Sequence, residues 1–280
     1  MNKLSYKFFN KSKNTNHYNK MYKKKLYEPN VKRLEIIKKL LKIYKPKKII
    51  DAGCGTGMPL IKIKKMGFNI TGYDKSDNMI KEAKKNLKIF RFPENIICAG
   101  DFENPKHIKN NSVDCILGMG TFYYSKKFNY TLRNQVKKLK KNGRLIFSLR
   151  NSLFDSSTFN DYSVNFFSKL YNIDKFNSSI KKNFLNIFKS FNKNKNFKKN
   201  IDDYKVYSLS HNPLTIEKQV LNKLGLKLNG IYFYHYHILP PIFENFDNFE
   251  FKKKSYKIEK PEDWKGYFLA SAFVVDCQKT

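Results

Sequence analysis

Apolar residues return at helical intervals from Val31 to Ile43, with Leu34, Ile36, Ile37, Leu40 and Leu41 between them and lysines on the other positions. That spacing predicts an amphipathic helix, ended by Pro46. The next apolar run, "KKIIDAG" at 47–53, is short and closed by glycine, as a buried strand is. Leu60, Ile61, Ile63 and Met66 form a second helical face, opened by Pro59 and stopped by Gly67. The alternation then repeats. "FNITGYD" (68–74), "NIICAGD" (95–101), "SVDCILGMG" (112–120) and "GRLIFSLR" (143–150) read as strands. "SDNMIKEAKKNLKIF" (76–90), with Ser76 as its N-cap, and "TLRNQVKKLKKNG" (131–143), ended by Gly143, read as helices. Strands separated by helix-length segments predict an α/β fold with a parallel sheet wound on both faces, over about residues 30–150.

The pattern breaks at 151–222, an aromatic, Asn-rich stretch that reads as a helical insertion. It follows the fifth strand, at the edge where open α/β sheets bind ligands, so a cap over an acceptor is the functional reading. "LTIEKQVLNKLGLKLNGIYFYHYHIL" then gives a helix and a strand, and "GYFLASAFVVDC" a long last strand that completes the sheet. The expected division is therefore a polar arm or lid over 1–28, a sheet domain built from 29–150 and 223–280, and a cap over 151–222.

Composition adjusts this picture modestly. With 25 Phe and 18 Tyr the chain has material for a large core. The net charge of +33 points to a polyanion at face value. The excess is nearly all Lys, however, and Arg stands only at 33, 91, 133, 144 and 150. Readers of phosphate and bases lean on the planar Arg fork. Abundant Asn, Ile, Phe and Tyr beside Lys look like AT-rich coding bias with solvated Lys faces. Four cysteines, at 54, 98, 115 and 277, have no zinc-ribbon or redox-pair spacing and read as free thiols. No leader-like or membrane-length apolar run is visible, so a cytoplasmic chain is expected.

The chemistry concentrates in "IIDAGCGTG", where three glycines fall within five positions. A dinucleotide loop wants a small residue at the third fingerprint position, and here Met58 stands there while the glycine is at 57. The resulting D-x-G-x-G-x-G, followed by "GYDKSDNMIKEAKKN", "CAGDFENP" and "VDCILGMGTFYY" in that order, resembles the four motifs of the class I S-adenosylmethionine-dependent methyltransferases. That resemblance implies a Rossmann-like, mostly parallel seven-stranded sheet whose last strand is antiparallel, and S-adenosyl-L-methionine as cofactor. It implies a donor site of Asp51, Gly53, Cys54, Gly55, Gly57, Asp74, Lys75, Met79, Asp101, Phe102 and Met119. Asp74 would take both ribose hydroxyls, Asp101 the adenine amino group, and Phe102 would donate a backbone N–H. The segments "RNSLFDSSTFNDYSVNFF", "SHNPLT" and "YHYHILPP" are similar to small-molecule methyltransferases associated with bacterial surface glycans.

The acceptor is read by exclusion. The segment Gly118–Tyr123 lacks the Asn/Asp-Pro-Pro-aromatic turn that often holds an amino group of a base. Cys115 has no preceding proline and reads as core rather than nucleophile. Asp114 is a lone carboxylate where a Mg²⁺ site needs several, so no metal is expected. Phe122 and Tyr123 read either as core or as a wall of the acceptor pocket. A hydroxyl acceptor needs a base, and His211, His235 and His237 are the candidates, His211 first because it lies on a loop after the insertion. His235 and His237 also fit a metal pair without an evident third ligand, or polar positions in an aromatic strand. The expectation is methyl transfer to a small-molecule acceptor, a hydroxyl of a sugar or related metabolite. The alternatives are an RNA methyltransferase using the basic surface and a non-catalytic cofactor-binding protein.

Overall fold

The computed structural model describes residues 3–22, 29–188, 206–243 and 248–280; parts of the expected arm (1–2 and 23–28) and of the expected cap (189–205) lie outside the described residues. The elements run α1 (Lys3–Phe9), α2 (Ser12–Met21), α3 (Pro29–Tyr44), β1 (Ile49–Ala52), α4 (Met58–Lys64), β2 (Ile70–Asp74), α5 (Asp77–Ile89), β3 (Ile97–Ala99) and β4 (Val113–Gly118). There follow α6 (Phe128–Lys138), β5 (Leu139–Asn151), α7 (Asp161–Leu170), α8 (Ser178–Phe188), β6 (Ser210–His211), β7 (Leu226–Tyr236), α9 (Asn248–Ile258), α10 (Gly266–Leu269) and β8 (Ala270–Lys279).

The sheet order is β3-β2-β1-β4-β5-β8-β7, with the two-residue β6 paired to β5 beside this path. From β3 to β5 every pairing is parallel. β8 runs antiparallel to both of its neighbours, β5 and β7. The last strand is thus antiparallel, as expected, and β6 is an additional short strand. Adjacent residues of a strand feed opposite faces. Ile49 packs with Leu34, Ile37, Leu60 and Ala83 from α3, α4 and α5, whereas Ile50 packs with Phe128, Leu132 and Phe147 on the α6 side. At the end of α3, Tyr44 donates to Asp276 of β8 at 2.5 Å and so ties the first long helix to the last strand.

Ser76 caps α5, its hydroxyl accepting from the Met79 N–H at 3.2 Å. Three boundaries differ from expectation. The helix expected over 131–143 ends at Lys138, and β5 begins at Leu139, so Gly143 lies inside a strand rather than at a helix end. Asn142 takes the left-handed backbone there, with φ +61°. The final strand begins at Ala270, because Gly266–Leu269 turns as a helix in which a Cβ on Gly266 would sit 2.3 Å from the Phe233 ring. The helix expected after Leu214 is a single wide π turn, Glu217–Leu221, followed by a 3₁₀ turn. The order of strands reverses between β1 and β4, which opens a crevice at their carboxyl ends.

Candidate functional site

The glycine loop leaves β1 at Ala52 and is bound at once to β2, since the Gly53 and Cys54 N–H groups both donate to the Tyr73 carbonyl, at 2.8 and 3.0 Å. Gly53 has φ +76°, and a Cβ there would stand 2.4 Å from Thr121 Cγ2. Only a bare backbone lets the loop after β1 and the turn after β4 touch. The Gly55 N–H donates to Asp74 Oδ2 and the Ser76 N–H to Asp74 Oδ1, both at 2.9 Å. Asp74 therefore spans from the end of β2 to the glycine loop. Burial raises its carboxyl, with the surrounding N–H groups opposing that rise.

A cleft opens above this loop. Its wall includes Asp51, Gly53, Cys54, Gly55, Asp74, Lys75, Met79, Phe102 and Met119. Two of the residues expected at a donor site, Gly57 and Asp101, stand outside this lining. Asp101 pairs with Lys75 at 2.5 Å and accepts from the Glu103 N–H at 2.9 Å. Burial works against its charge, but Lys75 and that N–H outweigh it and hold the carboxyl below its usual range. Phe102 is fixed from behind. Buried Gln135 donates to the Phe102 carbonyl at 2.6 Å and to the Tyr73 hydroxyl at 3.0 Å.

The same cleft has walls that the motifs do not announce: Arg33 from α3, and Phe9, Tyr18 and Tyr22 from the amino-terminal arm. Asp51 is 1% exposed, and neither of its carboxylate oxygens has a hydrogen-bond partner among the described residues. Burial pushes its carboxyl up to about 7, with Arg33 pulling it down and Asp74 adding to the rise. Arg33 is likewise buried. It reaches the Tyr22 hydroxyl at 3.3 Å, while its Nε has no hydrogen-bond partner among the described residues.

Asparagines hold the arm in place. Asn10 Oδ1 accepts from the Asn78 N–H at 3.1 Å and lies 3.0 Å from Ser76 Oγ. Asn19 donates to Glu82 at 2.6 Å and accepts from Asn86 at 3.0 Å, and Asn86 also reaches the Thr56 carbonyl of the glycine loop at 2.9 Å. Phe9 rests edge-on against Tyr124, ring centres 5.1 Å apart. A signal for these contacts was present in the polar, Tyr-dotted arm, but nothing local says where the arm docks.

None of the three histidines lines the cleft. His211 packs on Phe128, ring centres 4.2 Å apart, and burial lowers it to about 4. His237 sits between Phe154 and Phe251, and burial lowers it also to about 4. His235 lies 2.7 Å from Ser271 Oγ through Nδ1, with its ring 4.6 Å from that of His237. Burial depresses it strongly, and His237 and Arg150 add to the effect. Among the described residues there is no group of three or more His, Cys, Asp or Glu that could hold a metal ion. Cys115 is fully buried in β4. Asp114 is committed to the Lys48 N–H at 2.8 Å and to Lys140 at 2.7 Å. Phe122 is core against Phe102 and Phe147, whereas Tyr123 is only half-buried. No described helix is long and apolar enough to cross a membrane.

The profile of a methyltransferase domain matches residues 43–199. Among solved structures, the chain resembles magnesium protoporphyrin IX methyltransferase from Synechocystis PCC 6803 with bound SAH, at 11% identity over 99% of each chain and a TM-score of 0.59. It also resembles an S-adenosylmethionine-dependent methyltransferase from Thermotoga maritima, at 18% identity over 90% of this chain and 89% of that one, with a TM-score of 0.51. At these identities the likeness is one of fold. No curated protein matches the sequence.

Proposed function

This chain belongs to the methyltransferase-domain family, and from that premise we propose that it methylates a hydroxyl of a small polyhydroxylated acceptor, a sugar or related metabolite. It is an S-adenosylmethionine-dependent methyltransferase. When bound, the cofactor supplies a methyl group already activated on a sulfonium. What the protein adds is alignment, exclusion of water and removal of the acceptor proton.

The observation that carries the donor site is a pair of incompletely partnered buried charges on one cleft. Asp51, with two unpartnered oxygens, fits the ammonium of an amino acid, and Arg33, with an unpartnered Nε, fits its carboxylate. Asp74 would receive the ribose hydroxyls on the lone pairs left after its two backbone bonds, between Met79 and Phe102 as apolar walls. Lys75 would stand at the rim, Gly53, Cys54, Gly55 and Gly57 under the donor, Met119 beside its methionine end, and Asp101 at the adenine through its loop. Residues 29–150 and 223–280 would form this unit. The arm over 1–28 would close on the donor, and 151–222 would cover the acceptor.

A hydroxyl acceptor is supported by what surrounds β4. Cys115 is buried, Asp114 is tied to strand ends, and the turn Gly118–Tyr123 lacks the prolines of an amino-group clamp. In the transfer the acceptor oxygen bonds carbon as the carbon–sulfur bond breaks, and the hydroxyl proton passes to a base. His211, His235 and His237 are the candidates for that base, His211 standing between Ser210 and Asn212 of the segment after the insertion and His235 bonded to Ser271 through Nδ1. Burial lowers all three, so each is neutral at pH 7 and its protonated form is disfavoured. The test is incubation with isotope-labelled methyl donor and a cell extract, followed by mass analysis of the labelled products. A labelled neutral or anionic small molecule carrying an O-methyl group supports the assignment, and label confined to RNA or protein overturns it.

A further inference from the structure

A second cavity, of about 530 Å³, lies between the end of β5, α7 and the segment that carries β6. Two cations, Arg150 and Lys169, and one carboxylate, Asp155, face it, and short hydrogen-bonding side chains such as Ser152, Ser208 and Asn212 stand between them. The volume suits a small metabolite. Among the described residues the Arg150 side chain has one hydrogen bond, a long one of 3.4 Å to Ser208 Oγ. Among the described residues no ion pair joins Asp155 to Arg150 or Lys169. Burial pushes the Asp155 carboxyl up to about 7 against both cations, so the cavity keeps a positive balance at neutral pH.

This cavity is tied to the donor cleft through the turn after β4. Tyr124 lines the cleft, and its ring centre is 4.5 Å from that of its chain neighbour Tyr123. The Leu209 N–H donates to the Tyr123 carbonyl at 2.9 Å, which fastens the wall of the second cavity to the turn after β4. The turn that puts Tyr124 on the donor cleft is thus bonded, one residue earlier, to the segment that puts Ser208 and Ser210 on the second cavity.

We propose that this cavity is the acceptor site and that the acceptor is a polyhydroxylated molecule bearing an anionic group, a carboxylate or a phosphate, held by Arg150 and Lys169. The inference rests on the hydroxyl-methylation reading and adds the anion to it. A guanidinium and an ammonium on one cavity wall are the groups that hold an oxyanion. The serine and amide side chains, with Asp155, match the hydroxyls of the remainder.

The experiment is calorimetric titration of the full chain, saturated with SAH, with glucuronate, glucose 6-phosphate and glucose at one fixed salt concentration. The expected result is binding of at least one anionic probe at least tenfold tighter than glucose; the arm that binds identifies carboxylate or phosphate. Lys169→Glu, at an exposed position that leaves folding intact, and Arg150→Gln are each expected to weaken that binding at least tenfold while SAH still binds. Equal affinity for glucose, unchanged affinity in Lys169→Glu, or no binding of either anion overturns the proposal. Loss of SAH binding by the wild-type chain is a different failure, since it strikes the donor site and not this cavity.

Discussion

Asp51, at the end of β1, and Arg33, on α3, line one cleft and influence each other's charge, yet no ion pair joins them among the described residues. Leaving opposite charges buried and apart is unfavourable unless a third group completes them. The donor's amino-acid zwitterion is the group we propose for that place.

Asp51→Asn is therefore expected to lower SAH affinity about tenfold to a hundredfold, the loss of one charge-assisted hydrogen bond of about 1.5–3 kcal/mol. It is also expected to raise the melting temperature of the free protein by about 3 °C or more, because it removes an unpaired buried carboxylate. The signs separate a binding role from a structural one, which would lose stability. Calorimetry and thermal melts of the same sample measure both.

The pH dependence follows from the same group. Burial first, moderated by Arg33, holds Asp51 at about 7, above an unfolded carboxyl near 3.9. Its penalty to the fold is absent below the unfolded value, grows as pH rises, and is complete above about 7. Binding an ammonium needs the carboxylate form. SAH affinity is thus expected to fall as pH drops from 7 to 5.5, approaching about tenfold per unit, and to be flat across that window in Asp51→Asn.

Gly53→Ala places a methyl 2.4 Å from Thr121 Cγ2 at a backbone φ of +76°. We expect it to destabilise the protein by about 2–4 kcal/mol, combining left-handed strain with overpacking. Thr121→Ser removes the opposing methyl and keeps the hydroxyl, so the double variant is expected to recover the packing part and retain only the strain. Denaturant melts of the four proteins form the cycle that measures this coupling. Additive losses would mean that the loop and the turn do not touch.

The strand–loop–helix order and the carboxylates that end β1 and β2 were legible because they are local: glycine spacing, a capping Ser76 and apolar periodicity all act within a few residues. The start of β5 was not. Asn142 takes the left-handed conformation usually left to glycine, so Gly143 looked like a helix end. Arg33 was hidden for another reason. On a lysine-rich helix it reads as one more surface cation, and only tertiary packing turns it inward. The same holds for Phe9, Tyr18 and Tyr22. Their place on the cleft depends on Asn10 and Asn19 meeting α5, contacts that span more than sixty residues. Asparagines taken for coding bias are the fasteners.

If His235 takes the acceptor proton, His235→Asn is expected to lower kcat by about 10²–10⁴-fold with SAH affinity unchanged. His211→Asn and His237→Asn, each packed against aromatic rings, are in that case expected to change kcat by less than about fivefold. Assays with the acceptor recovered from the labelling experiment decide this. Equal losses in all three variants would point to damage to the fold and remove His235 from the mechanism.

Asn10 joins the arm to the first turn of α5, where its carboxamide oxygen accepts from the Asn78 N–H and faces Ser76 Oγ. The arm in turn lays Phe9 and Tyr18 along the donor cleft. Asn10→Ala leaves the glycine loop, Asp51 and Asp74 untouched but loosens the cover. One such contact is worth about 1 kcal/mol, so SAH dissociation is expected to quicken about fivefold, with little change in the association rate. Asn14→Ala is the matched control, because Asn14 bonds only within the arm, to the Phe8 carbonyl at 2.7 Å. Stopped-flow displacement of SAH distinguishes the two. An unchanged dissociation rate in Asn10→Ala would mean that donor release does not pass through the arm.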